Sequence, residues 1–273
     1  MPRRLSTDPP TPNPEERCRA YRRRILEISQ QVTALHIAPA FSCTEIVDVV
    51  MNEFMSEAEP QDVFLMSKGH GCMILYVILA ERGILTVDDL VDYCTPRGRL
   101  GAHPDFGVPG IAASTGSLGH GLSIAAGQAY AERLKGSTVR VFCVVSDGEL
   151  QEGSTWEAVM TASNLALANL VVIVDNNDFS GLERMSTGHP AMYPITEKFA
   201  AFGWSVSECD GHDHQELRRA LGAADGRRPH VVVASTVKGR GVSYMENENL
   251  WHYRSPSAAE FRQALTELGN PQP

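Results

Sequence analysis

Two apolar runs end abruptly in polar residues, and those ends can do chemistry. Val141-Phe142-Cys143-Val144-Val145 runs into Ser146-Asp147-Gly148, and Val171-Val172-Ile173-Val174 runs into Asp175-Asn176-Asn177. Each has the form of a buried parallel strand that delivers polar groups at its carboxyl end. Asp147 and Asn177 are thirty residues apart, the length of one βαβ unit, so neighbouring strands place a carboxylate beside a carboxamide. Gly148 lets a ligand approach the backbone. One carboxylate and one amide carry too little charge to hold Mg²⁺ tightly alone. They suit a site where a ligand's phosphates complete the octahedron, so the pair implies a metal–diphosphate site.

Four histidines lie in or beside Gly- and Pro-rich stretches: His36, His70 in Ser67-Lys68-Gly69-His70-Gly71, His103 in Gly101-Ala102-His103-Pro104, and His252 in Trp251-His252-Tyr253. Taken singly, each reads as a solvated or structural residue. Glu149 and Asp178 flank the acid–amide pair and read as solvated. His120 reads as structural. His212 and His214 stand at i, i+2, poor spacing for a metal pair, and read as helix caps. Lys238 is open between a phosphate contact and a charged surface loop.

The elements that must position these residues alternate. Helices are expected over 14–35, from a Ser42-x-x-Glu45 capping box to Met55, over 72–82, and from Thr86 to Tyr93. Residues 95–116 form a long loop, a length that is usually functional or disordered. A small-residue helix then runs to Leu134. Strand 138–145, helix 151–166, strand 170–175, helix 194–202, strand 204–207, helix 213–224 and strand 229–235 follow, with a last helix over 257–268. With a short strand at 63–66, this pattern predicts an α/β fold with a doubly wound, mostly parallel sheet flanked by helices. Residues 1–13 read as a Pro-rich disordered arm and 14–273 as one domain.

Bulk properties narrow the function. The 273 residues are 43% hydrophobic and 21% charged, ordinary for a globular protein. A net charge of −9 argues against a general nucleic-acid binder. No apolar run approaches the roughly 20 residues that span a bilayer, and the N-terminus lacks the apolar core of a secretory signal. Six scattered cysteines without a CxxC read as free thiols in a reducing cytoplasm and make a zinc site improbable. The cluster Arg17, Arg19, Arg22, Arg23 and Arg24 reads as a solvated or interface face.

Ser146-Asp147-Gly148 followed by Asn176-Asn177 resembles the Gly-Asp-Gly … Asn-Asn motif of thiamine-diphosphate enzymes. Further motifs follow in register. Ser67-Lys68-Gly69-His70-Gly71 looks like the Asn-Gly-His-Gly turn of transketolases. Gly116-Ser117-Leu118-Gly119-His120-Gly121 is similar to their Gly-Pro-Leu-Gly-Gln-Gly loop, and Gly101-Ala102-His103-Pro104 to their Gly-His-Pro segment. The chain thus resembles the N-terminal, diphosphate-binding (PP) half of transketolase from about residue 15 to 255. The resemblance implies thiamine diphosphate and Mg²⁺ or Ca²⁺ as cofactors, with Asp147, Asn177 and the Phe179 carbonyl as metal ligands. It implies cofactor contacts from His70, Gly116, Leu118, Gly148, Glu152, Asn177 and His252. His36, His70, His103 and His252 would be the acid–base groups, and Glu152 part of a carboxylate relay between subunits.

The resemblance also implies what must come from elsewhere. The family's second domain holds the aminopyrimidine end of the cofactor. A second transketolase subunit with the pyrimidine and C-terminal domains is therefore the expected partner, in an α2β2 heterotetramer of cytoplasmic carbohydrate metabolism. The expected reaction moves a two-carbon ketol unit from a ketose or ketose phosphate to an aldehyde, with no nucleic-acid or membrane partner. Two departures bear on the substrate: Ile37-Ala38-Pro39-Ala40-Phe41 after His36, and Tyr253-Arg254 after His252. The alternatives are a subunit of a pyruvate-type thiamine-diphosphate enzyme and a non-catalytic assembly subunit.

Overall fold

The computed structural model describes residues 13–32, 35–56, 58–181 and 183–269. The expected arm lies outside the described residues except for Asn13, whose side chain accepts from Glu15 N and caps α1 (Pro14–Ser29). Pro14 in the first turn and two following acids favour that start. The helix stops at Ser29, short of the expected 35.

The expected break after His36 is helical. α2 (Ile37–Ser42) precedes α3 (Thr44–Val49), which runs into a π-helical turn over Val50–Phe54. Pro39 is tolerated because it stands in the first turn of α2, where backbone N–H groups have no partner within the helix. The Ser42–Glu45 capping box does not form. Ser42 ends α2 and donates to Asp175 Oδ1 at 2.8 Å, and Glu45 pairs with Arg22 at 2.6 Å. The capping box at Thr86 and Asp89 does form, and opens α5 (Val87–Val91) after α4 (Cys72–Glu81).

β1 (Val63–Met66), β2 (Val141–Ser146), β3 (Leu170–Asn176), β6 (Ser205–Asp210) and β7 (His230–Ser235) form one parallel sheet in the order β1-β2-β3-β7-β6. β4 (Phe179–Ser180) and β5 (Glu183–Arg184) make a separate short hairpin. Alternate residues of the central strands feed two cores. Phe142, Val144, Val171 and Ile173 face α1 to α4, with α10 (His214–Gly222) and α11 (Ala258–Gly269). Cys143, Val145, Val172 and Val174 face α6 (Gly121–Leu134), α7 (Gly153–Asn164) and α9 (Ile195–Ala201). Each fully buried Val or Ile contributes about 1.5–3 kcal/mol, so the strand ends are anchored from both faces. The doubly wound sheet matches expectation, with strand ends shifted by at most three residues. The short α8 (Met185–Gly188) follows the hairpin. No helix among the described residues is long and apolar enough to cross a membrane.

Two surface readings are corrected. Arg22 is buried, with both terminal nitrogens on Glu45, and Arg17 grips both oxygens of Asp48 at 2.7 Å. These arginines neutralise acids on α3 rather than face solvent. His212 and His214 do not cap α10; Asp213 does, accepting from Gln215 N and Glu216 N. Val237 N donates to His212 Nε2 at 2.8 Å. The His212 proton is therefore on Nδ1, 2.9 Å from Glu45. Cys18, Asp48 and His214 bring metal-ligating atoms within 4.8 Å of one another, but the Arg17 fork already neutralises Asp48.

Candidate cofactor and active site

The in-register pairing of β2 and β3, with Ser146 opposite Asp175, brings Asp147 and Asn177 to one end of the sheet. Asp147 is fully buried. Its Oδ1 accepts from Gly148 N at 2.8 Å and its Oδ2 from Asp178 N at 2.6 Å. Burial, then the charge of Asp175, pushes its carboxyl up to about 7. Asn177 Oδ1 accepts from Phe179 N at 3.0 Å. A Cβ on Gly148 would stand 3.0 Å from Ser180 Cα and 3.2 Å from the Phe179 carbonyl oxygen. Glycine is what lets that carbonyl lie against the strand end.

A cavity of about 120 Å³ opens here, lined in part by Gly148, Asn177, Phe179, Leu118, His70, His252 and Lys238. A larger open groove of about 610 Å³ lies over the β6–β7 edge, lined in part by Asp210, His212 and Arg240. It holds neither the acid–amide pair nor any of the four expected histidines.

Those four histidines gather around His36. Its ring centroid lies 6.0 Å from that of His70, 5.7 Å from His103 and 5.4 Å from His252, and His70 lies 5.5 Å from His252. Burial, then the charges of neighbouring groups, lowers His36 to about 4 and His252 to about 3. Burial and Lys68 push His70 well below its ordinary value, and burial lowers His103. All four are neutral imidazoles at pH 7, each with one donor and one acceptor nitrogen. His36 Nδ1 is buried without a hydrogen-bond partner among the described residues. Tyr253 covers His36, ring centroids 4.5 Å apart, and is itself exposed.

His103 is held by close backbone approach. Gly116 has φ +126°, and a Cβ there would meet His103 Cγ at 2.7 Å. Glu152 stands outside the cluster, exposed at the start of α7. His120, also exposed, precedes α6 and makes no side-chain cap.

Lys238 is buried, which overturns the surface-loop alternative. Its Nζ donates to the Gly181 carbonyl at 2.9 Å and to His252 Nδ1 at 3.0 Å. Among the described residues it makes no ion pair with a carboxylate. Burial, then Lys68, lowers it to about 8.

Glu149 is fully buried rather than solvated. It accepts from Ser67 Oγ, from Gly119 N at 2.9 Å and from Ser146 N at 3.4 Å, so it ties the Gly116–Gly121 loop to the ends of β1 and β2. Asp178 is partly exposed, with φ 68°, and its carboxylate takes Ser186 and Arg184. Ser42, Lys68 and Asp175, read only as a cap, a turn residue and a strand end, form a fully buried polar knot beside Asn177. One signal for it was available. Lys68 is the one charge between the apolar runs 63–66 and 72–80, and a buried ammonium needs a buried counter-charge.

The donor set is suited to a divalent cation with an anionic ligand. It combines a buried carboxylate held in part by its own backbone, an amide oxygen, the carbonyl of a residue that lines the cavity and an ammonium paired with no carboxylate among the described residues.

Comparison with known proteins gives the same picture. Residues 18–273 match the family model "Transketolase, thiamine diphosphate binding domain". The chain is 36% identical over 263 residues to an apulose-4-phosphate transketolase subunit from Actinobacillus succinogenes, covering 93% of this chain and 95% of that one. It is 33% identical over 256 residues to the protein of the same name in Phocaeicola vulgatus, covering 90% of each. Among solved structures, transketolase from Leishmania mexicana superposes with a TM-score of 0.88 at 28% identity, covering 95% of this chain and 42% of that one. Sequence, fold and matched length agree: this chain belongs to the transketolase family, as a thiamine-diphosphate-binding domain of the same size as the two apulose-4-phosphate transketolase subunits.

Proposed function

We propose that the chain, with residues 14–273 as one diphosphate-binding unit, is a subunit of a divalent-metal-dependent transketolase of cytoplasmic carbohydrate metabolism. It would transfer a two-carbon ketol unit from a ketose phosphate to an aldehyde, together with a separate pyrimidine-domain subunit in an α2β2 assembly. The observation that carries this reading is the single cavity shared by Asn177, Phe179, Lys238, His70 and His252. A buried ammonium that pairs with no carboxylate among the described residues, beside an acid–amide pair, is balanced by a metal diphosphate.

Asp147, Asn177 and the Phe179 carbonyl hold Mg²⁺ or Ca²⁺ in this reading, and the diphosphate oxygens complete its shell. Lys238, His70 and His252 face the diphosphate. Gly148, Gly116 and Leu118 pack against the cofactor. Bound thiamine diphosphate supplies the chemistry that breaks and remakes the C–C bond. The chain's own work is orientation and proton handling. His252 receives the Lys238 hydrogen bond at Nδ1, so its proton sits on Nε2. His36, His70 and His103, neutral at pH 7, each hold or accept a proton at a donor hydroxyl. Glu152, exposed at the start of α7, would in this reading meet a carboxylate of another subunit.

Neutral imidazoles suit a hydroxylated donor better than pyruvate. The relatives from Actinobacillus succinogenes and Phocaeicola vulgatus are named for apulose 4-phosphate, which makes that ketose phosphate the first donor to assay. The test mixes this chain with its candidate partner, thiamine diphosphate and Mg²⁺. Ketol transfer is expected from the mixture and not from either chain alone. Transfer by this chain alone, or turnover of pyruvate in place of ketose phosphates, would reject the reading. A complex that binds no thiamine diphosphate would leave only an assembly role.

A further inference from the structure

Asn177 presents an amide, and an amide can turn either face to a ligand. Only its oxygen coordinates a cation, so something must fix which end points out. Phe179 N–H donates to the oxygen from one side, and the buried knot behind Asn177 supplies the constraint on the nitrogen.

Lys68 and Asp175 form an ion pair with no side-chain exposure at either partner. Lys68 Nζ also donates to the Pro39 carbonyl at 3.1 Å, which holds it under α2. The paired Asp175 carboxylate is an acceptor only. Its Oδ1 takes the hydroxyl hydrogens of Ser42, at 2.8 Å, and of Thr236. With its one hydrogen committed to Asp175, Ser42 Oγ can only accept from its other neighbours. Thr236 Oγ1, 3.1 Å away, has its own hydrogen on Asp175, which leaves Asn177 Nδ2, at 2.9 Å, as the donor. The same Nδ2 lies 3.4 Å from Asp175 Oδ2. Reversing the amide would set its oxygen against a hydroxyl lone pair and a carboxylate, with no donor to receive it. The direction set at Asp175 passes through one hydroxyl to Asn177 and leaves Oδ1 on the side of Phe179, whose N–H donates to it; both residues line the cavity.

We propose that Lys68, Asp175 and Ser42 are positioning residues that lock the Asn177 carboxamide with its oxygen toward the cation. The proposal rests on Asn177 being a metal ligand, as proposed above. Thr236 donates to the same oxygen of Asp175 and lies 3.1 Å from Ser42 Oγ, but among the described residues it makes no hydrogen bond to the Asn177 side chain. It therefore separates a role in burial from a role in orientation.

The test is Mn²⁺ affinity, read by electron paramagnetic resonance on the full chain assembled with its partner under saturating thiamine diphosphate. Thermal midpoints are measured alongside. Loss of a partner that orients a metal ligand typically weakens the metal 10- to 100-fold. Ser42→Ala is expected to weaken Mn²⁺ by roughly that factor, while Thr236→Ala changes it far less at a similar thermal midpoint. Lys68→Met/Asp175→Leu, which replaces the buried pair by apolar side chains of similar volume and spares folding, is expected to weaken Mn²⁺ as Ser42→Ala does. Wild-type affinity in either Ser42→Ala or the double variant overturns the proposal, as does equal loss in Ser42→Ala and Thr236→Ala. Asp147→Ala and Asn177→Ala test the parent reading separately. If those two keep wild-type Mn²⁺ binding, or the wild-type complex binds none, the ligand assignment fails first and the lock falls with it. Should Ser42→Ala fail to fold, the double variant decides.

Discussion

Lys238 Nζ lies 3.0 Å from His252 Nδ1, a buried ammonium donating into a neutral imidazole. The contact holds the His252 ring with its Nε2–H free and keeps the ring from taking a second proton. It also leaves the ammonium with capacity for an anion.

Lys238→Met should therefore have two effects. The His252 pKa should move up from about 3, since burial remains but the Lys238 charge, the next largest cause of its depression, is gone. Histidine NMR titration would read it. Diphosphate affinity of the assembled enzyme should fall about tenfold or more, as expected for losing a charged contact worth about 1.5–3 kcal/mol. An unmoved His252 titration would contradict the pairing.

The Arg22–Glu45 pair predicts acid sensitivity. Against the cost of burial, the Arg22 guanidinium and then the His212 hydrogen bond hold the Glu45 carboxyl well below the usual range. A depressed folded-state pKa contributes stability above the unfolded value, near 4.5, and loses it as pH falls below that. Wild type should lose stability below about pH 4.5 more steeply than Glu45→Gln. At pH 7 that variant should already be less stable by about 3–5 kcal/mol, because Arg22 is left buried and unpaired. Urea denaturation across pH 3–7 would resolve both; parallel pH profiles would refute the assignment.

Gly116→Ala should displace His103. The φ of +126° strains any L side chain, and the new Cβ would stand 2.7 Å from His103 Cγ. The KM for a ketose phosphate donor should rise several-fold while Mn²⁺ affinity is kept, since the Asp147–Asn177 end is untouched. A variant with unchanged donor kinetics would show that His103 does not touch the donor.

Glu149→Ala should loosen the loop that Leu118 brings to the cavity. It strands Gly119 N–H and the Ser67 hydroxyl, at about 1–3 kcal/mol for each buried donor. Faster amide exchange at Gly119 is the specific sign. Glu149→Gln keeps an acceptor and should lie between wild type and Glu149→Ala.

The sheet was legible because it follows from pattern, whereas the histidine cluster was legible only from the motif resemblance, each histidine alone reading as solvated or structural. Apolar runs ending in Asp147 and Asn177 fix strand ends, and the strand ends fix the pole where His70 and Lys238 must gather. Polar groups buried against one another were not legible. Ser42, three residues before Glu45, looks like a cap in any linear reading, and only the fold shows that each has a distant partner, Asp175 and Arg22. Glu149 read as solvated because it lies just past a strand end, where acids normally meet water. Its burial depends on the loop at Gly119, thirty residues upstream, coming back to donate to it. Arg17 and Arg22 of α1 were hidden in the same way: a basic face looks solvated until α3 supplies the acids opposite those two.

Asp147 and Asn177 hang from adjacent strands of a sheet packed on both faces, whereas His103 stands in an irregular loop and Tyr253 at the end of a short 3-10 turn, Asn249–Tyr253. The separation of the acid and the amide is thus set by interstrand spacing, a length that parallel sheets hold nearly constant. Substitutions at His103 or Tyr253 would therefore leave the spacing of the acid and the amide unchanged.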